Sequence, residues 1–240
     1  MKTFGYVVGG FFGFVVLAVG GVILWYMWTY PSGTLRYEMV VEVEADGEIY
    51  RGASVLEATY RHQPPLGSAP MMVGHSRGEA VVVDIGDRGT LFVLVTGPHG
   101  CPGNEEFRSR WSGYDPENIP RAVFDLRLSD KDTLRRLRYF EGFAEVPLNR
   151  MPLMVRFDDI TDPLTVSQVD PCDLAASFGD GVSLSRVTIE TTRASITTGI
   201  EARLPWFEDL RGRTLDGSRI TTSNDLSNTI GPGSFKTGDW

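Results

Sequence analysis

From Phe4 to Trp28 the chain carries no charged side chain. A helix of roughly 20 apolar residues is enough to cross a hydrocarbon core about 30 Å thick, so this run can span with some tilt. A cleaved signal peptide would need a shorter apolar core, about 7 to 15 residues, ahead of a small-residue cut. The one candidate cut, after Ala18-Val19-Gly20, would leave Val22 to Trp28 at a new terminus, and no cysteine sits in a lipobox-like setting. The reading is an uncleaved anchor over residues 1–30. Lys2 lies before the run and Arg36 is the first basic residue after it, which favours an inside amino terminus and places the rest on the periplasmic side of a bacterial inner membrane. Trp25, Tyr26, Trp28 and Tyr30 then mark the far interface, where an aromatic body with a polar edge is most at home. Gly5, Gly9 and Gly13 recur every four residues and make a smooth face on which a second helix could pack, from a partner or from another copy.

All 31 acidic residues follow the anchor, and the net charge is −8. That sign argues against nucleic acid or an anionic membrane surface as the main partner. The contacts expected are those of the anchor, with the lipid bilayer and a partner helix or second copy. Cys101 and Cys172 are the only cysteines. In an oxidising compartment an even pair reads as a disulfide.

After a short polar link over Pro31–Thr34, the pattern becomes one of strands. Tyr37, Met39, Val41 and Val43 alternate with Glu38, Glu42 and Glu44, the period of a half-buried strand, and Asp46-Gly47 supplies a hairpin turn. A second strand runs from Glu48 to Arg61, with an interruption expected near Gly52. Ala80–Ile85 and Leu91–Val95 are apolar on both faces and read as central strands, joined by a turn at Gly86-Asp87-Arg88-Gly89. The Pro-rich stretch 97–120 is expected to be irregular. Ser129 with Asp132 resembles a capping box opening a helix through Leu134 and Leu137, and Arg135, Arg136 and Arg138 complement the dipole at its end. Met151–Phe157 and Ser183–Thr191 read as further strands, with a short helix capped by Asp170 between them. Leu204–Leu210 suggests a last amphipathic turn or helix. The fold expected is a β-rich α+β domain over 31–215, largely antiparallel and sandwich-like, followed by a loosely ordered polar tail over 216–240.

Three motifs resemble chemistry. Gly74-His75-Ser76-Arg77-Gly78 matches the G-x-S-x-G nucleophile elbow, which would make Ser76 a catalytic serine. An elbow needs a strand before it and a helix after it, whereas here Pro-rich sequence precedes and a valine-rich strand follows. The only later histidine is His99. Asp158, Asp159 and Asp162 spell D-D-x-x-D but sit between a strand and Pro163, where aspartates cap turns. Met71, Met72, His75, His99 and Cys101 are soft ligand types with no spacing that gathers them. No metal site or cofactor is assigned, and no phosphate loop or zinc-ligand repeat is present.

The strings Val155-Arg156-Phe157-Asp158-Asp159-Ile160, Asp162-Pro163, Val169-Asp170-Pro171, Asp173-Leu174-Ala175-Ala176, Phe178-Gly179, Thr197-Thr198-Gly199-Ile200-Glu201 and Arg203-Leu204-Pro205-Trp206 form a recognisable pattern. With Gly52-Ala53-Ser54-Val55 and Arg77-Gly78-Glu79-Ala80, it resembles a group of uncharacterised bacterial single-pass membrane-anchored proteins with no established function. The likeness spans most of the chain beyond the anchor, transfers no catalytic residue, and favours 77–80 as a structural strand entry. The role expected is a non-catalytic accessory or binding component of a membrane assembly. The alternatives are an envelope serine hydrolase using Ser76, or a metal- or ligand-binding protein.

Overall fold

The computed structural model describes residues 2–65, 67, 71–98 and 118–238, with residues 2–14, 96–98, 118 and 149 by their backbone. The apolar run lies in one helix, Lys2–Thr29. Among the described residues no helix is long and apolar enough to cross a membrane. The side chains from Val15 to Trp28 are largely uncovered, with Leu17 77% and Trp28 70% exposed.

Beyond this helix the chain is β-rich, with few and short helices. Among the described residues ten strands form two sheets, and every pairing is antiparallel. They are β1 (Ser32–Ala45), β2 (Glu48–His62), β3 (Met72–Glu79), β4 (Val81–Asp84), β5 (Thr90–Pro98), β6 (Phe143–Glu145), β7 (Pro152–Phe157), β8 (Val166–Val169), β9 (Val182–Thr191) and β10 (Lys236–Thr237). The first sheet has the order β10-β3-β2-β1-β9-β6 and the second β4-β5-β7-β8.

The alternation of β1 is realised as expected. Leu35, Tyr37, Met39, Val41, Val43 and Ala45 point inward, packed with Val81, Val83, Leu91, Val93 and Met154 of the second sheet in one core. Asp46, at φ 52°, and Gly47, at φ 84°, make the hairpin turn. β2 runs through Gly52 without the expected interruption. The glycine serves the approach of the two sheets instead: a Cβ there would lie 2.3 Å from the Val82 carbonyl oxygen.

β5 and β7 are central strands, buried on both faces. Their second face carries Phe92, Leu94, Leu153, Val155 and Phe157, and the chain after Gly199 covers it with Leu204, Trp206, Phe207, Leu215, Ile230 and Phe235. The polar tail expected to be loose is therefore part of the fold. Sparse as its apolar residues are, Ile230 is 2% and Phe235 0% exposed. Phe235 meets Phe92, Phe157 and Trp206 at centroid distances of 5.6 to 6.0 Å. Buried Asn228 organises the polar part: its Oδ1 accepts from the amides of Thr222 and Ser223, and its Nδ2 donates to Asp216. The Thr214 hydroxyl, the Ser218 amide and Asn228 together hold the Asp216 carboxyl down to about 2. A segment with few apolar side chains can still pack when each meets a prepared surface. Leu204–Leu210 is a run of turns, not a helix.

Candidate functional site: the junction of helix and domain

The expected polar link does not exist as a link. β1 begins at Ser32, three residues after the helix ends, and the chain between is held on several sides. The His62 amide donates to the Pro31 carbonyl at 3.0 Å. The strand then runs under a short helix, Lys131–Arg136, whose Leu134 is fully buried in the core. Gly33 permits the contact, since a Cβ there would lie 2.3 Å from the Leu134 carbonyl oxygen.

That short helix is opened by Asp130, one residue from the expected capping serine. The Asp130 carboxylate accepts from the amides of Asp132 and Thr133 and from the Thr133 hydroxyl. These bonds, led by the hydroxyl, hold its pKa below the usual aspartate value. Capping fixes which way the helix points, and two of its cations turn to the N-terminal helix. Lys131 Nζ donates to the Thr29 carbonyl at 2.7 Å and Arg135 to the Trp28 carbonyl at 2.6 Å. The last carbonyls of a helix have no partner within it and lie at the negative end of its dipole, so two cations there satisfy both needs. The same cations lie over aromatic rings, Arg135 4.4 Å from the Trp28 centroid and Lys131 5.8 Å from that of Tyr30. Arg135 therefore serves the end of another helix, where its position suggested its own.

Beside this junction is an open concavity of about 450 Å³ between the start of β1, the end of β9 and the segment 138–143. Arg36, Arg138 and Arg193 line it with Glu141 and Glu190. Arg36 is engaged by Glu57 at 2.7 Å, and Arg138 rests 4.6 Å from the Tyr139 ring centroid. Tyr139 and Phe143, also in the lining, are each 65% exposed.

Ser76 lies within β3, opposite Ala58, and its hydroxyl donates to that of Thr237 at 3.2 Å. Met72–Glu79 is one continuous strand, so the sharp strand-to-helix turn that exposes an elbow serine is not formed here. Residues 74–78 are thus themselves strand. His99 and Cys101 lie outside the described residues. No described cysteine is free. The Asp170 carboxylate accepts from the Cys172 amide, and the short helix after it begins later than expected, at Ala175. Asp158 pairs with Arg156, Asp159 accepts from the amide and hydroxyl of Thr161, and Asp162 accepts from the Leu164 amide. The last two are turn-capping roles, while Asp158 serves an ion pair. Among the described residues no group of three or more His, Cys, Asp or Glu is placed to hold a metal. Gly5, Gly9 and Gly13 lie within the N-terminal helix.

A second polar cluster went unnoticed in the sequence. Glu79 ends β3 where the chain crosses to the second sheet and is 2% exposed. Its Oε2 accepts from the Ile200 amide at 2.8 Å, while its Oε1 faces Lys236 at 3.3 Å. Lys236 also pairs with Glu201. Burial works against the Lys236 charge, but the two carboxylates outweigh it and raise its pKa, and the bond from Lys236 lowers that of Glu201. The cluster staples the tail to the β3 edge. Only tertiary proximity could have revealed it.

No protein-family model, curated protein or solved structure matches this chain.

Proposed function

We propose that the protein is a single-pass, membrane-anchored binding component of a membrane assembly, without catalysis of its own, its domain held rigidly at the periplasmic surface of a bacterial inner membrane. The observation that carries this reading is the junction, where Lys131 and Arg135 grip the last carbonyls of the N-terminal helix. A domain needing only to be kept near a membrane can hang on a flexible linker; one that presents a particular face to a partner gains from a fixed mount. The uncharged run and the aromatic side chains at the domain end of the helix support insertion. The tie of Ser76 to Thr237 within a strand weighs against the hydrolase reading.

The test has two parts. Alkaline carbonate extraction and protease accessibility on intact spheroplasts should find the chain integral, with its domain outside. Crosslinking followed by purification in mild detergent should recover a partner or a second copy. Release by carbonate would end the anchor reading, and a strictly monomeric, partner-free protein would end the assembly reading.

A further inference from the structure

The concavity beside the junction combines two cationic forks with two carboxylates, and we propose that it receives the headgroup of a phospholipid carrying a primary ammonium, a phosphatidylethanolamine of the bilayer. The proposal rests on the reading of the N-terminal helix as an anchor.

Position is the first argument. Tyr139 follows Arg135 by four residues, part of them in a 3₁₀ turn, so at about 2 Å per residue it lies within roughly 8 Å along the chain of the side chain that covers Trp28. The polar headgroup layer extends about 5 to 8 Å beyond the hydrocarbon on each side. Arg138 and Tyr139 thus fall at headgroup depth if Trp28 marks the interface. Tyr139 and Phe143, each 65% exposed, are aromatic side chains of the sort enriched at that level.

Charge is the second. Arg36 is held by Glu57 and forms a wall, whereas Arg138 and Arg193 are exposed and offer planar forks that match a phosphodiester. Glu141 and Glu190 line the same space and can accept from an ammonium. A purely anionic headgroup would meet these two carboxylates unfavourably, and a choline has no N–H to give them. The volume, about 450 Å³, lies within the roughly 300–1,000 Å³ usual for small-molecule sites.

Native mass spectrometry of the full chain released from nanodiscs of mixed phosphatidylethanolamine, phosphatidylglycerol and phosphatidylcholine tests this. The wild type should retain phosphatidylethanolamine about tenfold over the other two, the scale of one or two charge-assisted hydrogen bonds. R138Q/R193Q should lose most lipid retention, and E141Q/E190Q should lose the preference over phosphatidylglycerol. Circular dichroism melting of each variant checks that the fold is kept, and the glutamate pair reads out selectivity, which a general loss of structure would not move. Equal retention of the three lipids would overturn the proposal. Soluble phosphoethanolamine binding as tightly as the lipid would overturn the bilayer as its source. A chain that stays in the membrane under carbonate yet shows no headgroup preference refutes this site alone, whereas a chain that carbonate releases refutes the anchor and the site together.

Discussion

Arg135 holds Trp28 twice: its guanidinium lies 4.4 Å from the centroid of the indole ring, and it donates to the carbonyl oxygen of the same residue at 2.6 Å. Side chain and backbone of one helix-terminal residue are thus fixed by a single cation that itself stands on a helix buried in the core through Leu134. The direction in which the N-terminal helix leaves the domain is set by this contact and its neighbour at Lys131.

Removing both cations should free that direction. For K131A/R135A we expect hydrogen exchange at the amides of residues 30–34 to rise and spin labels on the helix and on β1 to show a broadened distance distribution, with the domain's melting temperature little changed. Each contact at a partly exposed site is worth about 0.5–1.5 kcal/mol. Unchanged exchange and distances would mean that Gly33 packing alone fixes the junction.

Gly52 sits where β2 passes the backbone of β4. G52A should destabilise the domain by about 1–3 kcal/mol, because a methyl group 2.3 Å from the Val82 carbonyl forces the sheets apart. Urea titration monitored by tryptophan fluorescence measures it. An alanine at Gly47, where no atom lies within 4 Å of the added Cβ, should cost less and act through its positive φ alone.

Lys236 bridges Glu79 and Glu201. K236M should cost about 3–5 kcal/mol, since it strands a buried carboxylate, and E79Q should cost less than K236M because the amide can still accept from Ile200. The lowered pKa of Glu201 makes its contribution present above the unfolded carboxylate value and lost as pH falls through the folded one. Lys236 has the opposite sign: its raised pKa gives a contribution that is full below the ordinary lysine value and lost as pH rises through the folded one. Melting temperatures of wild type and K236M should therefore converge at both acid and alkaline extremes. A constant gap across pH would refute the charge origin.

Cys101 and Cys172 are expected to be joined. Non-reducing peptide mapping of oxidatively purified protein should recover the linked pair, and C101S/C172S should lose on the order of 4 kcal/mol by the chain-entropy account of a long loop. Two free thiols in the native protein would dismiss it.

Much of the strand order was legible because burial on one face leaves a period-two trace. β1 shows it in Tyr37, Met39, Val41 and Val43, and the doubly buried β5 shows the continuous apolar run that central strands leave. Local signals near turns were weaker. Ser129 and Asp130 both suit an N-cap, and only the hydrogen bonds to Asp132 and Thr133 choose Asp130. The tail misled for a physical reason: composition counts apolar residues, while stability depends on what each one touches, and Ile230 and Phe235 meet the waiting face of β5 and β7.

By itself the sequence determined the uncharged helix at the amino terminus, the alternation that builds the first sheet and the two-faced strands of the second, because each is a periodicity carried by neighbouring residues. Only the tertiary structure decided that the helix has no linker, that Gly33 and Gly52 are points of close approach, and that Lys131, Arg135 and Lys236 serve partners far along the chain. Those contacts join residues separated by 102 and 107 positions at the junction and by 35 between Lys236 and Glu201. No local pattern encodes such a pairing; it arises when the sheets close and bring the segments together.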